Sequence, residues 1–218
     1  PGHTDDSVEA AVRAGAQRAF VLEEAAAAVS LYRREQEDIL VINVHHIVFD
    51  ARSLQVMFEE LLVLYDGESL GRPAALPAPA ARYTDFVAWQ TELLSGENGD
   101  TLWRYWETVF ADAPPPLELA AARPRPPVLS SRGASIPFAL TPWLSAALAD
   151  VARQHQTTLY TVLMAVMQMV LYKFSGQPEI VIGTPVSLRH RSEWSNVLGY
   201  FINMLPIRGR IIEDEPFS

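Results

Sequence analysis

The chain has 218 residues, five His, no Cys, and 26 acidic against 17 basic side chains, for a formal net charge of −9. With 49% hydrophobic residues it can bury a sizeable core, which excludes a disordered tail, and its acidic balance argues against nucleic acid as a partner. The absence of Cys excludes a disulfide framework, a thiolate nucleophile and Cys-ligated zinc.

Residues 1–6 carry neither a basic nor an apolar region, so they do not read as a signal peptide. Asp5, Asp6 and Ser7 can cap a first helix on which Val8, Val12, Ala16 and Ala19 recur at helical spacing. Residues 27–33 read as a strand, 35–38 as a polar turn, and 39–48 as a β-branched strand buried on both faces, the two strands pairing as a hairpin. Ser53 begins a second helix with an apolar stripe of Leu54, Met57, Phe58, Leu61, Leu62 and Tyr65, ended by Asp66 and Gly67. Residues 83–94 and 102–110 read as aromatic-rich helices, with Trp89, Trp103 and Trp106 assigned to the core.

Nine of the 16 prolines fall between 73 and 127, which makes the run from 114 the candidate linker. Beyond it, residues 134–140 read as a strand, and Thr141-Pro142 as a helix start with Pro at the first position. Thr158 caps a longer helix ending at Gly176; its apolar stretch contains Gln168 and Lys173 and is shorter than the ~20 residues that span a bilayer. Residues 180–186 form a strand, and 200–211 another, with Pro206 marking an edge or a bulge. Mixed strands and helices imply α/β or α+β layers. Lys173 is the only lysine, which reads as coding bias and not as a site. The expected class is a soluble, cytoplasmic protein without membrane spans.

Three His read as solvated: His3 near a terminus, His155 in a polar helix end, His190 in a polar loop. His45 and His46 differ, because they sit at the end of an apolar strand, where unpaired polar rings are costly. Neighbouring strand residues point to opposite faces, and Asp50 follows at the strand-to-helix turn, where rigid scaffolds often hold site residues. Three readings compete. A metal site needs converging ligands, and this pair diverges with no third His or Cys nearby. A structural His–Asp network would satisfy buried polar groups. A general base at His46 would serve acyl transfer. Spacing alone does not choose among them.

The run His45-His46-Ile47-Val48-Phe49-Asp50-Ala51 resembles the HHxxxDG motif of condensation domains of nonribosomal peptide synthetases, members of the chloramphenicol-acetyltransferase-like acyltransferases. Tyr83-Thr84-Asp85-Phe86-Val87-Ala88-Trp89 resembles their YxDFAVW motif, and Leu198-Gly199-Tyr200-Phe201-Ile202-Asn203-Met204-Leu205 their (I/V)GxFVNTL motif, with Arg208 at its Arg. Gly176-Gln177-Pro178-Glu179-Ile180-Val181-Ile182-Gly183-Thr184-Pro185-Val186 resembles SGQxDIVVGTPV, and Arg18-Ala19-Phe20-Val21-Leu22-Glu23 resembles RPFDLE imperfectly. The likeness runs over nearly the whole chain, and the motifs are jointly highly specific.

The resemblance implies an α/β (α+β two-layer) chloramphenicol-acetyltransferase-like fold made of parts of two lobes. Residues 1–113 would be the C-terminal part of the first lobe, 114–132 a proline-rich inter-lobe linker, and 133–218 the N-terminal part of the second. It implies an acyltransferase that joins a carrier-bound donor thioester to a carrier-bound aminoacyl acceptor. His46 would deprotonate or position the amine; His45, Asp50, Ala51 and Arg189 would support it, Arg189 by pairing with Asp50. No intrinsic cofactor or metal is implied, and the phosphopantetheine arm belongs to the carriers. Partners would be donor and acceptor carrier proteins, neighbouring synthetase domains, and the remaining parts of the same domain or a second copy.

Two departures accompany the resemblance. Ala51 stands where the motif has Gly, implying either a strained left-handed residue or a methyl group near His46. The family's domain is about twice as long, its SxAQxR and RHExLRTxF motifs falling before Pro1 and its HQDYPFE and RDxSRNPL motifs after Ser218. The chain thus resembles the middle of a domain. Competing functions are a non-catalytic condensation-like interaction domain, an acyl-CoA-dependent acyltransferase, and an epimerisation domain.

Overall fold

The computed structural model describes residues 5–34, 36–119, 127–128, 130 and 133–212. Of the proline-rich run assigned as a linker, residues 120–126, 129 and 131–132 lie outside the described residues. The chain clusters into two compact units, Pro1–Arg104 with Val186–Asn203, and Tyr105–Pro185 with Met204–Ser218.

The first unit opens with helix α1 (Asp5–Ala16), followed by strands β1 (Ala27–Arg33) and β2 (Asp38–Val44). The strands pair antiparallel with Val29 opposite Ile42, Leu31 opposite Leu40 and Tyr32 opposite Ile39. Residues opposite one another share a face. One face carries Ala28, Ser30, Tyr32, Ile39, Val41 and Asn43, and α1 lies on it. The Tyr32 hydroxyl donates to Ala11 O at 3.2 Å, and Asn43 Nδ2 to Gly15 O at 3.2 Å. The other face stays open, with Val29 66%, Leu31 53% and Leu40 45% exposed. β2 is therefore half-buried, not buried on both faces, and it stops at Val44 instead of running to residue 48.

A 3-10 turn (His46–Val48) leads into helix α2 (Ala51–Ser69), which starts two residues before the expected Ser53 because Asp50 is its N-cap. Helix α3 (Tyr83–Ser95) begins where Arg82 N donates to Asp85 Oδ2 at 2.7 Å. It is followed directly by α4 (Glu97–Val109), five residues longer at its start than the periodicity suggests, of which residues 105–109 cluster with the second unit. The core of the first unit is aromatic. Phe86, Trp194, Val197 and Phe201 are buried, with Tyr83, Trp89 and Leu188 packed around them. Phe86 meets Phe201 at 4.6 Å and Trp194 at 5.1 Å between ring centroids, while Trp89 meets Trp194 at 4.8 Å. These separations lie in the range of favourable ring pairs. Trp103, assigned to the core, is 68% exposed.

The second unit is built on helices α5 (Pro142–Gln154) and α6 (Leu159–Ser175) and strands β3 (Glu179–Ser187) and β4 (Ile202–Arg210), which pair as a two-stranded sheet. The Thr141 and Thr158 hydroxyls accept from Leu144 N and Thr161 N, the side-chain caps that Thr offers at a helix start. Gly176 ends α6 at φ 70°, a left-handed C-cap that glycine adopts without penalty. Arg208 ties the unit together, donating to Val109 O at 2.8 Å, Asp112 Oδ1 at 3.0 Å and Glu179 Oε2 at 2.6 Å. These acceptors raise the Arg208 pKa, and in return the guanidinium lowers that of Asp112. Residues 134–140 are not a strand. Ile136 and Phe138 are 88% and 86% exposed there, and the segment belongs to neither sheet of the described residues. No single helix among the described residues is long and apolar enough to cross a membrane.

Candidate active site

The His pair sits where β2 converts to α2. His45 N donates to Ala26 O at 2.8 Å, continuing the hairpin ladder. The strand then ends because Ile47 N turns back to donate to His45 Nδ1 at 3.1 Å. A side chain that captures a backbone N–H two residues on competes with the strand ladder for that donor. The accepting nitrogen is Nδ1, which leaves Nε2 as the ring's other polar atom. Its ring lies edge-on to Phe20 at 6.1 Å. His46 belongs to the 3-10 turn, not to the strand; its side is open to solvent and its ring meets Tyr200 at 5.5 Å with an interplanar angle of 78°. The two imidazoles thus diverge, to Phe20 and to Tyr200.

Asp50 does not touch either imidazole by hydrogen bond among the described residues. It is a buried anchor. Oδ1 accepts from Ser53 N at 2.8 Å, which caps α2, and Oδ2 accepts from Phe201 N at 3.1 Å. Arg189 closes the arrangement, its Nη2 lying 3.0 Å from Oδ1 and 3.2 Å from Oδ2, with Nε 3.3 Å from Oδ2. The guanidinium directs its other donors to Trp194 O at 2.6 Å, Val197 O at 2.8 Å and Ser53 Oγ at 3.0 Å, and it stacks on Phe201 at 3.9 Å from the ring centroid. Side-chain exposures of 7% for Arg189 and 1% for Asp50 show both charges withdrawn from water. A buried pair is tolerated when its remaining donors and acceptors are also satisfied, which is the case here.

Burial pushes the Asp50 carboxyl up. The Ser53 amide, the Arg189 guanidinium, the Ser53 hydroxyl and the Phe201 amide together outweigh it and hold the carboxyl below its ordinary value. Burial, aided by the Asp50 charge, raises the Tyr83 phenol, which stays protonated and donates to Tyr200 O at 2.7 Å.

Of the expected site residues, the structure brings Asp50 and Arg189 together, and His45 and His46 lie just ahead of Asp50 in the chain, in the turn between β2 and α2. Ala51 is the first residue of α2, exposed, and without positive φ. The left-handed alternative for the missing Gly is therefore gone. Ser53 is a site residue that the sequence reading missed. It is fully buried, its Oγ donating to Gly199 O and accepting from Gly199 N, both at 2.9 Å. The signal available in the sequence is Asp50 three residues ahead of Ser53, the spacing of an N-cap and its third helical residue. Trp194, a core residue, carries no motif that marks it. His190, read as solvated, packs its exposed ring against Trp89 at 5.6 Å.

The condensation-domain family model matches residues 2–218. Tyrocidine synthase 3 of Brevibacillus parabrevis is 36% identical over 180 residues, 83% of this chain and 3% of that protein. Gramicidin S synthase 2 of Brevibacillus brevis is 35% identical over 217 residues, 99% of this chain and 5% of that protein. The crystal structure of the X-domain from teicoplanin biosynthesis superposes with a TM-score of 0.87 at 22% identity, covering 98% of this chain and 49% of that one. The chain spans about half the length of that structure and a small part of each synthetase, and the fold is α/β, as in chloramphenicol-acetyltransferase-like proteins. On the match over residues 2–218, the chain belongs to the condensation-domain family.

Proposed function

We propose that the chain acts within a nonribosomal peptide synthetase, as the HHxxxD-bearing portion of a condensation domain. The observation that carries this reading is the turn at residues 45–50. An accessible imidazole, His46, stands just ahead in the chain of an aspartate locked by a buried arginine. In the proposed reaction the acceptor amine nitrogen attacks the donor thioester carbonyl, a C–N bond forms and the C–S bond breaks. The proton lost by nitrogen balances the one gained by the thiolate leaving group. The thioester is already activated, so the protein needs no covalent nucleophile. His46 takes the amine proton or orients the amine by accepting its hydrogen bond, roles suited to imidazole at physiological pH.

His45 and Asp50 shape the turn. Asp50 is fully engaged with Arg189, Ser53 and Phe201, so it supports the site and does not transfer protons. The phosphopantetheine arms of donor and acceptor carrier proteins deliver the substrates as cargo, and the reading places the reaction in the cytoplasm with the rest of the synthetase. The test is dipeptide formation by the full-length parent domain with loaded donor and acceptor carriers. His46→Ala is expected to lower turnover by about 100-fold or more, the scale of a lost acid–base group. Equal turnover in variant and wild type would sink the catalytic role. No turnover in either would favour a non-catalytic interaction domain.

A further inference from the structure

We propose that Tyr200 is a positioning residue for His46, fixing the imidazole through ring contact; this rests on the proposed role of His46. Among the described residues no hydrogen bond orients the His46 ring, and its side is exposed. A surface His with two free side-chain torsions samples several rotamers. The Tyr200 ring meets it at 5.5 Å and 78°, within the range of favourable edge-to-face pairs.

Tyr200 can do this because its own backbone is held on three consecutive residues by side chains of the same unit. Ser53 Oγ bridges Gly199 N and Gly199 O at 2.9 Å each. The Tyr83 hydroxyl donates to Tyr200 O at 2.7 Å. Asp50 Oδ2 accepts from Phe201 N at 3.1 Å, and Phe201 is completely buried. Residues 199–201 belong to no helix or strand, yet every one is pinned. Gly199 is required for this packing, because a β-carbon there would run into the Tyr83 ring. The Asp50 network therefore reaches His46 without touching it: it fixes the 199–201 backbone, and the Tyr200 ring transmits that fixity to the imidazole.

The experiment compares Tyr200→Phe, Tyr200→Leu and His46→Gln in the full-length parent domain, by turnover with loaded carriers and by the proton shifts of the labelled His46 ring. Tyr200→Phe keeps the ring and is expected to hold turnover within about threefold and to preserve the aromatic-induced shift. Tyr200→Leu is expected to abolish that shift and to lower kcat about 10- to 100-fold at unchanged KM for the carriers, the cost of misplacing a catalytic group. Wild-type kcat in Tyr200→Leu beside an inactive His46→Gln would overturn the positioning role and leave the His46 reading standing. Wild-type turnover in His46→Gln would overturn both. A His46 shift unmoved by Tyr200→Leu would refute the contact, and a Tyr200→Phe as impaired as Tyr200→Leu would refute the ring as the effective part.

Discussion

Asp50 and Arg189 hold their charges almost wholly out of water, and each is satisfied several times over. Removing one partner strands the other, so Arg189→Met should destabilise the protein by about 3–5 kcal/mol in denaturant unfolding. Arg189→Lys should lose less, since it keeps the charge but not the fork that bridges Asp50, Trp194 and Val197. The folded carboxyl is held below its ordinary value of 3.8. Its stabilisation is therefore complete above that range and is lost as pH falls through the lowered value. Acid unfolding followed by circular dichroism should show this limb in wild type and a flattened one in Arg189→Met. Ala51 gives a prediction of the opposite kind. It sits in regular helix without positive φ, so Ala51→Gly relieves no strain and should cost up to about 1 kcal/mol through helix propensity. A gain in thermal stability on that substitution would contradict the helical assignment.

At the scale of elements, local chemistry and tertiary pairing part company. β1, α5 and α6 follow the sequence signals closely, because caps and breakers act within a few residues: Thr141 with Pro142, Thr158, and Gly176. Thr141→Ala should destabilise the protein by about 1 kcal/mol, since Leu144 N loses its acceptor. Residues 134–140 alternate Ile136, Phe138 and Leu140 with Ser135, Pro137 and Ala139, yet they are not a strand, and Pro137 removes a ladder donor from their middle. Strand identity depends on a neighbour that no short window contains. β2 ends earlier than its apolar pattern for a related reason. Ile47 and Val48 resume the apolar pattern after the His pair, but the His45 side chain captures the Ile47 amide and turns the chain.

At the scale of the whole molecule, large apolar side chains remain open on many of the described elements, and two of these faces lie in the first unit. The uncovered hairpin face carries Val29 and Leu31, and α2 exposes Leu54 45%, Phe58 49%, Leu62 61% and Tyr65 68% at helical spacing. Contiguous apolar faces of this kind favour association. The isolated 218-residue chain is expected to self-associate in light scattering, and Leu31→Arg should shift it toward monomer. A monodisperse wild-type monomer with a sharp melt would refute this.

The sequence by itself determined the family, since the motifs at residues 45–50, 83–89 and 198–208 are local strings whose order needs no coordinates. It also determined the helix starts that rest on side-chain caps. Only the tertiary structure decided that 186–203 packs with the first unit, that Ser53 and Tyr83 grip residues 199 and 200, and that His46 faces the Tyr200 ring. Those contacts join residues more than a hundred positions apart. Their geometry is set by how a buried Asp, Arg and Ser satisfy one another, and local patterning does not encode it.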